Sequence, residues 1–578
     1  MSIAMSGAVG FIGLGAMGAP MVRRLLSCGH AVVVFDIGEK ARQAAADAGA
    51  RVVASPRQVA DEATVVCTCL PSLNALTAVL LGDDGVSGGA RVELVIDFST
   101  TGSEFASDLA GKLASCGMAL LDAPITGSVV TAGNGGLGIM CSGPLAAFER
   151  VEPLLRELAG AVVLYLGERN GRAQTLKLLN NLLSATGMAA TCEAMLIGFK
   201  AGLDPWRMLE VINAGDASSS ASRNKFPRSV LPRRFDYGAR MAITAKDTSL
   251  TVGECEALGV PMWVGQAVRQ VWNVAASQGG AERDGSSLIT FLEPWAGVEL
   301  PASDSARPLA GAAPSATAPA VAILCEASVQ REVLRAAGPA ASVHVVDATE
   351  GAAGMHAALP ARAIRRIVVN LCPMVPASAR ALAQAVADDG DGYVEAMPVG
   401  VPRDIGTARA LFVVAGAAQD RADAVPLLAS LGGRALSVSE RAGDAALLRD
   451  LHEAVFATLL AATAEAFAAG AKAGLASDAM TRIMGVETGR NAASARILPE
   501  EVATRRFDHG RSIGELCASL ERVAAAACEL GVTPWVLDKT RLLYGLAARL
   551  GSPEDDASRL VTHYERWVGA EVGTPAAH

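Results

Sequence analysis

Lys177 lies in an apolar helical run, Thr175 to Leu183, so its ammonium must reach polar surroundings or bear a desolvation cost. Asn181 follows four residues later, on the same helix face and about 6 Å away between Cβ atoms. A lysine with a lowered pKa can take a hydroxyl proton and return it, while an amide beside it orients the substrate. In an arbitrary helix the same pair would read as a lysine snorkelling to solvent beside a surface asparagine. Upstream lies a second constellation. The short apolar strand Val9 to Ile12 runs directly into Gly13-Leu14-Gly15-Ala16-Met17-Gly18, and the helical PMVRRLL follows. Such a turn needs glycine for its backbone angles and for close approach of a pyrophosphate, which then sits at a helix N-terminus. The strand AVVVF ends at Asp36, 18 residues after Gly18. A carboxylate there accepts hydrogen bonds from ribose hydroxyls and repels a 2′-phosphate, and Ile37 and Gly38 bring no arginine, so NAD is favoured over NADP. Hydride transfer from an alcohol to that cofactor needs a base. The half of the chain holding both constellations has one histidine, His30, at the end of the first helix. Lysine is the next candidate.

The elements that must position these residues follow from the pattern. Residues 1–168 alternate β-branched runs with Ala/Leu helical stretches, as in a parallel sheet of βα repeats; residues 169–297 carry almost no strand signal and read as a helical bundle. A Pro/Ala/Ser-rich linker spans 298–320 and is expected to be extended. The 578 residues suit about four domains. Hydrophobic residues at 51%, aromatics at only 4% and 59 glycines suit Ala-rich helices and Gly-punctuated α/β turns, and exclude a disordered chain. Fifty basic against 59 acidic residues, without a basic block, give nucleic-acid binding little support. The uncharged stretch from Met1 to Val22 lacks a basic flank, and its glycines belong to the turn. No membrane association and no metal are expected. Eleven cysteines without a CxxC read as small buried hydrophobes in a reducing cytoplasm. The basic run Arg223, Lys225, Arg228, Arg233, Arg234 reads as a solvated loop, or else as a lure for an acidic substrate.

Residues 8–297 resemble the β-hydroxyacid dehydrogenases, the 3-hydroxyisobutyrate dehydrogenase family. The resemblance rests on FIGLGAMGAPM at 11–21, DAPITGSVVTAGNGGL at 122–137, GRAQTLKLLNN at 171–181 and KDTSL at 246–250, in the family's order. It implies a Rossmann-like NAD-binding domain followed by an all-α domain like the C-terminal domain of 6-phosphogluconate dehydrogenase. It also implies roles for further residues. Thr126 and the backbone N–H groups of Gly127 and Ser128 would hold a substrate carboxylate, and Asn181 would orient the substrate. Lys177 would exchange the proton. Leu70, Pro71, Thr100 and Lys246 would lie at the nicotinamide end, although Lys246 beside Asp247 could equally be a paired surface cation. The family's serine is Thr126 here, and Ser128, Gly136 and Ala173 also depart from its pattern, which touches substrate choice more than reaction type. The implied activity is NAD-dependent oxidation of a small 3-hydroxy acid, or reduction of its semialdehyde. Threonate-type dehydrogenase and tartronate semialdehyde reductase are the alternatives, with a non-catalytic NAD-binding scaffold as the alternative of another class. An imine reductase fits less well, because that branch usually replaces the lysine.

The second half repeats the first. A shift of 272 places Gly171 on Gly443, Pro227 on Pro499 and Phe235-Asp236 on Phe507-Asp508 without a gap. Upstream the shift is 273, and Asp36 matches Asp347 only after a loss of about 38 residues. A shortened, degenerate Rossmann-like domain at 321–440 and a full-length degenerate helical domain at 441–570 are expected. Lys177 faces Arg449, Asn181 faces Glu453, Thr126 faces Val399, and Lys246-Asp247 faces Ala518-Ser519. The glycine turn becomes Leu324-Cys325-Glu326-Ala327-Ser328. This half is expected neither to bind NAD nor to catalyse. It could supply a partner helical domain within one chain, an intramolecular pseudo-dimer, or serve as a regulatory sensor; further homo-oligomerisation stays open.

Overall fold

The computed structural model describes residues 7–315, 319–337, 341–347, 351–359 and 365–573. The first six residues of the uncharged N-terminal stretch and residues 316–318 of the expected linker lie outside them. Nine strands build the first sheet region: β1 Ala8–Ile12, β2 Val32–Phe35, β3 Arg51–Val52, β4 Ala63–Thr68, β5 Leu94–Asp97, β6 Ala119–Asp122, β7 Ile125–Thr126, β8 Leu137–Cys141 and β9 Ala159–Tyr165. The first six form a parallel sheet in the order β3-β2-β1-β4-β5-β6. Its Val- and Ile-rich strands are buried on both faces, as a sheet covered by crossover helices requires. The order reverses beside β1, so the glycine turn opens at the switch point where dinucleotides bind in such sheets. Strands β7, β8 and β9 form a separate three-stranded sheet.

The second sheet region holds β10 Ala320–Cys325, β11 Ala341–Val345, β12 Arg366–Asn370, β13 Gly392–Val399, β14 Leu411–Gly416 and β15 Arg434–Ser439, in the order β11-β10-β12-β13-β14-β15. Its strand β10 pairs with β12 directly. In the first sheet β4 intervenes between the corresponding β1 and β5. The missing residues thus remove an interior strand and its neighbours, and the sheet closes over the gap. The expected linker is laid down on the surface. Arg307 pairs with Asp204, and Asp423 accepts the Ser315 N–H at 2.6 Å.

Each helical region is built on a helix of 29 residues, Arg172–Lys200 and Asp444–Lys472, about 44 Å long. Both are apolar enough to cross a membrane by length and composition, and both are buried almost all round. They pack on one another. A Cβ on Gly198 would lie 3.1 Å from Leu451, and one on Gly470, its counterpart, 3.5 Å from Leu179. Small residues at the crossing let the backbones approach, which explains the Ala/Gly-rich composition. One hydrophobic core runs through both helical regions, whereas each sheet has cores of its own.

The contacts between the halves are reciprocal. Glu193 accepts the N–H groups of Val536 and Leu537 at 2.9 and 3.0 Å, at the start of helix Trp535–Leu550. Glu465 accepts those of Val264 and Gly265 at 2.8 and 2.9 Å, at the start of helix Trp263–Ala275. Each carboxylate meets the positive end of a helix in the other half. Ser219 and Asn491, equivalent under the 272 shift, bridge to each other. The basic run is a loop only in part: Arg223, Lys225 and Arg228 lie on a helical segment, and Arg233 and Arg234 follow in the turn and loop after it. Residues Ala221–Val230 are wound into a wide helical segment around Pro227, and Arg233 pairs with the buried Glu293 at 2.5 Å.

Candidate active site

Helix Gly18–Ser27 starts directly after the glycine turn and without a side-chain cap, so the positive end of its dipole faces the turn, as an anion site requires. Gly13 has φ +99°, and a Cβ there would run into the Cys69 carbonyl. A Cβ on Gly18 would run into the Gly13 carbonyl, while Gly15 faces open space. Leu14 donates its N–H to Asp36 at 2.7 Å, and Gly38 donates to the other carboxylate oxygen at 2.7 Å, so Asp36 is fixed against the turn. Ala16 and Met17 complete that turn. These residues fit a dinucleotide. Arg42, which spacing in the sequence did not single out, donates to the Asp36 carbonyl at 2.6 Å and so brings a guanidinium beside Asp36.

Leu70 and Thr100 lie on the loops after β4 and β5; Pro71 next to Leu70 is exposed. The loops are tied together: Leu70 donates its N–H to the Ser99 hydroxyl at 2.9 Å, and Ser99 donates to Asp97 at 2.6 Å. Gln174 locks the long helix to the same place, accepting from Thr101 N–H at 2.9 Å and donating to the Ser99 carbonyl at 3.0 Å. Glu254 accepts the Ser103 N–H and the Thr175 hydroxyl. Asp122 accepts from Ser142, Asn170 and the Gly171 N–H, which anchors the helix start to β6. Burial lifts its carboxyl to about 6.

Lys177 sits two turns into that helix and is buried. Among the described residues no hydrogen bond or ion pair reaches its ammonium. Burial lowers its pKa to about 8, with Lys246 pushing the same way and the carboxylates of Asp247 and Glu487 opposing. Asn181 donates its amide to Asp247 at 2.8 Å. Asp247 pairs with Lys246 at 2.9 Å, and Lys246 donates to the Thr100 carbonyl at 2.8 Å. A chain of contacts therefore runs from Thr100 through Lys246 and Asp247 to Asn181. Lys246 is thus paired with Asp247 and also reaches the loop after β5.

The substrate loop departs from expectation at Ser128. Its N–H donates to the Thr131 hydroxyl at 2.7 Å, in a capping box that starts helix Val129–Gly133, and so does not face outward for a carboxylate. Gly127, at φ +136°, makes the bend before it. Thr126 is buried on β7, and its hydroxyl donates to Glu487 of the second half at 3.2 Å. Nothing in the sequence pattern pointed to Glu487, because 361 residues separate the pair.

The matching place in the second half is filled. Arg449 pairs with Asp450 at 2.9 Å and donates to Ser519 at 2.8 Å; Asp450 also pairs with Arg522 at 2.7 Å. Glu453 pairs with Arg511, which holds its carboxyl well below the ordinary range. At the strand end, Glu326 stands in place of the glycine turn, and helix Ala327–Ala337 begins directly after it.

The described "NAD binding domain of 6-phosphogluconate dehydrogenase" family matches residues 8–167. The family described as "NAD-binding of NADP-dependent 3-hydroxyisobutyrate dehydrogenase" matches twice, at residues 171–292 and 443–564. The human mitochondrial 3-hydroxyisobutyrate dehydrogenase is 33% identical over 298 residues, covering 50% of this chain and 88% of that one. L-threonate dehydrogenase of Cupriavidus necator is 32% identical, covering 51% of this chain and 99% of the relative. The 2-hydroxy-3-oxopropionate reductase of Escherichia coli is 33% identical, covering 50% and 99%. With its glycine turn, lysine-bearing helix and repeated helical domain, the chain belongs to the 3-hydroxyisobutyrate dehydrogenase family of NAD(P)-dependent oxidoreductases acting on the CH–OH group of hydroxyacids.

Proposed function

We propose that the first half interconverts a small 3-hydroxy acid and its semialdehyde, with NAD as cofactor and Lys177 as the acid/base. The observation that carries this is the buried, unpartnered Lys177 one turn from Asn181, its pKa lowered to about 8. When bound, NAD supplies the hydride acceptor. Neutral Lys177 takes the hydroxyl proton as the alcohol is oxidised and, as an ammonium, returns it to the carbonyl oxygen in reduction. Asn181, held by Asp247 and one turn from Lys177, orients the substrate. The Gly127 N–H receives the substrate carboxylate, with the Thr126 hydroxyl turned to it from Glu487. Lys246, seated on the Thr100 carbonyl, closes the nicotinamide end. The substrate is taken to be of the 3-hydroxyisobutyrate type, with the threonate and tartronate semialdehyde types suggested by the names of relatives. Asp36 supports NAD; Arg42 beside it supports NADP as a second reading. NADH formation with a panel of 3-hydroxy and sugar acids, in wild type and Lys177→Ala, tests the proposal. Wild-type turnover in Lys177→Ala would overturn the mechanism.

We infer also that the second half acts as a tethered partner, the two helical domains forming a pseudo-dimer within one chain. The reciprocal Glu193 and Glu465 contacts and the shared core support this. Residues 1–297 expressed alone are then expected to be unstable or to associate; a stable, monomeric, fully active fragment would refute it.

A further inference from the structure

Glu487 crosses from the second half to the lysine-bearing site. Its carboxylate accepts the Thr126 hydroxyl at 3.2 Å. Gly138 pairs with Thr126 across β7 and β8 and makes room for it: a Cβ on Gly138 would lie 2.8 Å from a Glu487 carboxylate oxygen. The loop that bears Glu487 is pinned to the catalytic helix. Asn180, fully buried and adjacent to Asn181, donates to the Thr488 hydroxyl at 2.9 Å and accepts the Gly489 N–H at 3.0 Å. A Cβ on Gly489 would lie 2.7 Å from the Asn180 carbonyl, so the loop backbone rests on the helix.

The duplication supplies an internal control. Under the 272 shift, Glu487 corresponds to Gly215. Gly215 packs on His452 and Val399, beside the ion-paired counterpart of the site, and presents no side chain. At this position the loop serving the lysine-bearing site carries a carboxylate and its counterpart carries none; the acid of that second loop is the next residue, Asp216, which is taken up by Arg496 at 2.6 Å and faces His509 at 3.6 Å.

A carboxylate in that position discriminates. A hydroxy acid that sets its own carboxylate at Thr126 brings two like charges together unless a hydrogen-bond donor lies beside them. A C2 methyl group offers no donor; a C2 hydroxyl or ammonium does. We propose that Glu487 is a specificity-determining residue, lent by the second half, that selects 3-hydroxy acids bearing a hydroxyl or ammonium donor at C2 over those bearing an alkyl group. The proposal rests on the hydroxy-acid reading above and narrows it.

The test is kcat/KM of the full chain with four acids that share one carbon frame: 3-hydroxypropionate, 3-hydroxyisobutyrate, glycerate and serine. Wild type is expected to prefer glycerate or serine. Glu487→Ala should lower kcat/KM for the preferred acid about 10- to 100-fold, the scale of a hydrogen bond to a charged group, and raise it for 3-hydroxyisobutyrate. Glu487→Gln keeps the shape and should hurt serine more than glycerate, because it keeps an acceptor and loses the charge. An equal loss on all four acids, with unfolding shifted to match, would mark a structural residue and overturn the proposal. So would a wild-type preference for 3-hydroxyisobutyrate. Wild type that binds NAD yet oxidises none of these acids and none of the sugar acids would instead remove the hydroxy-acid reading, and this inference with it.

Discussion

Arg449 stands where Lys177 stands, one copy later, and the two cations live in opposite surroundings. Both are buried on equivalent long helices. Lys177 meets no hydrogen-bond or ion-pair partner among the described residues, whereas Arg449 and Arg522 share Asp450 in ion pairs and Arg511 pairs with Glu453 close by. The framework around them is shared. Asp122 anchors the start of the first long helix through the Gly171 N–H, and Glu395 anchors the second through the N–H groups of Gly443 and Ala445. Glu193 and Glu465 cap helices across the interface in the same reciprocal way. The repeat has thus kept the carboxylates that hold helices and replaced the groups that would exchange protons. An unpaired buried amine is a liability for stability, retained where chemistry needs it; an arginine network removes both the liability and the chemistry.

The largest effect expected of any substitution follows from that contrast. Lys177→Ala should cut turnover about 10²- to 10⁴-fold, the range for a lost acid/base, with its urea midpoint close to that of wild type. Arg449→Ala should do the reverse, costing about 3–5 kcal/mol of stability by leaving Asp450 underpaired in the interior, while turnover per folded molecule holds. Steady-state kinetics and urea titrations on both variants check this, and an equal stability loss in the two would erase the comparison.

Next in size is cofactor choice. Asp36→Ala should lower the NAD-over-NADP preference in kcat/KM at least about tenfold, since it removes a like charge facing a 2′-phosphate. Arg42→Ala should raise that preference.

The pH profile carries a smaller effect. Oxidation needs neutral Lys177, so kcat/KM should climb with pH and level off above about 8. The Glu487 carboxylate stabilises the ammonium, and Glu487→Gln should move the midpoint to lower pH. A midpoint that stays put would mean that the charge does not reach the lysine.

The smallest effect concerns the interface. Burial lifts the carboxyls of Glu193 and Glu465 to about 7 from an ordinary 4.5. The native state therefore binds more protons than the unfolded chain between these values, and stability should fall as pH rises through about 5 to 8. Thermal unfolding of the Glu193→Gln/Glu465→Gln variant should show a shallower fall. Glu395 and Asp122 titrate in the same window and will leave part of the slope.

Much of the lysine-bearing half was legible because its signals are local. The glycine turn lies within six residues, Lys177 and Asn181 are four apart, and the helical repeat shows in a single register. Ser128-Val129-Val130-Thr131 has capping-box spacing, so the sequence also offers the Ser128 N–H a partner of its own, and the cap takes it. Charge alone says little about the conformation of the basic run: its first three cations lie on a wide helical turn that accommodates Pro227, as the second copy accommodates Pro499. Gln174, Glu254 and Glu487 could not be found by spacing, since each acts across a fold contact between distant segments.

The division of labour between the halves is tested most directly by the number of NAD molecules bound per chain, measured by isothermal titration of the full-length protein. One site is expected, lost on disrupting the turn with Gly13→Asp and unaffected by Glu326→Ala. Two sites per chain, or one that survives Gly13→Asp, would contradict the assignment of cofactor chemistry to the first half.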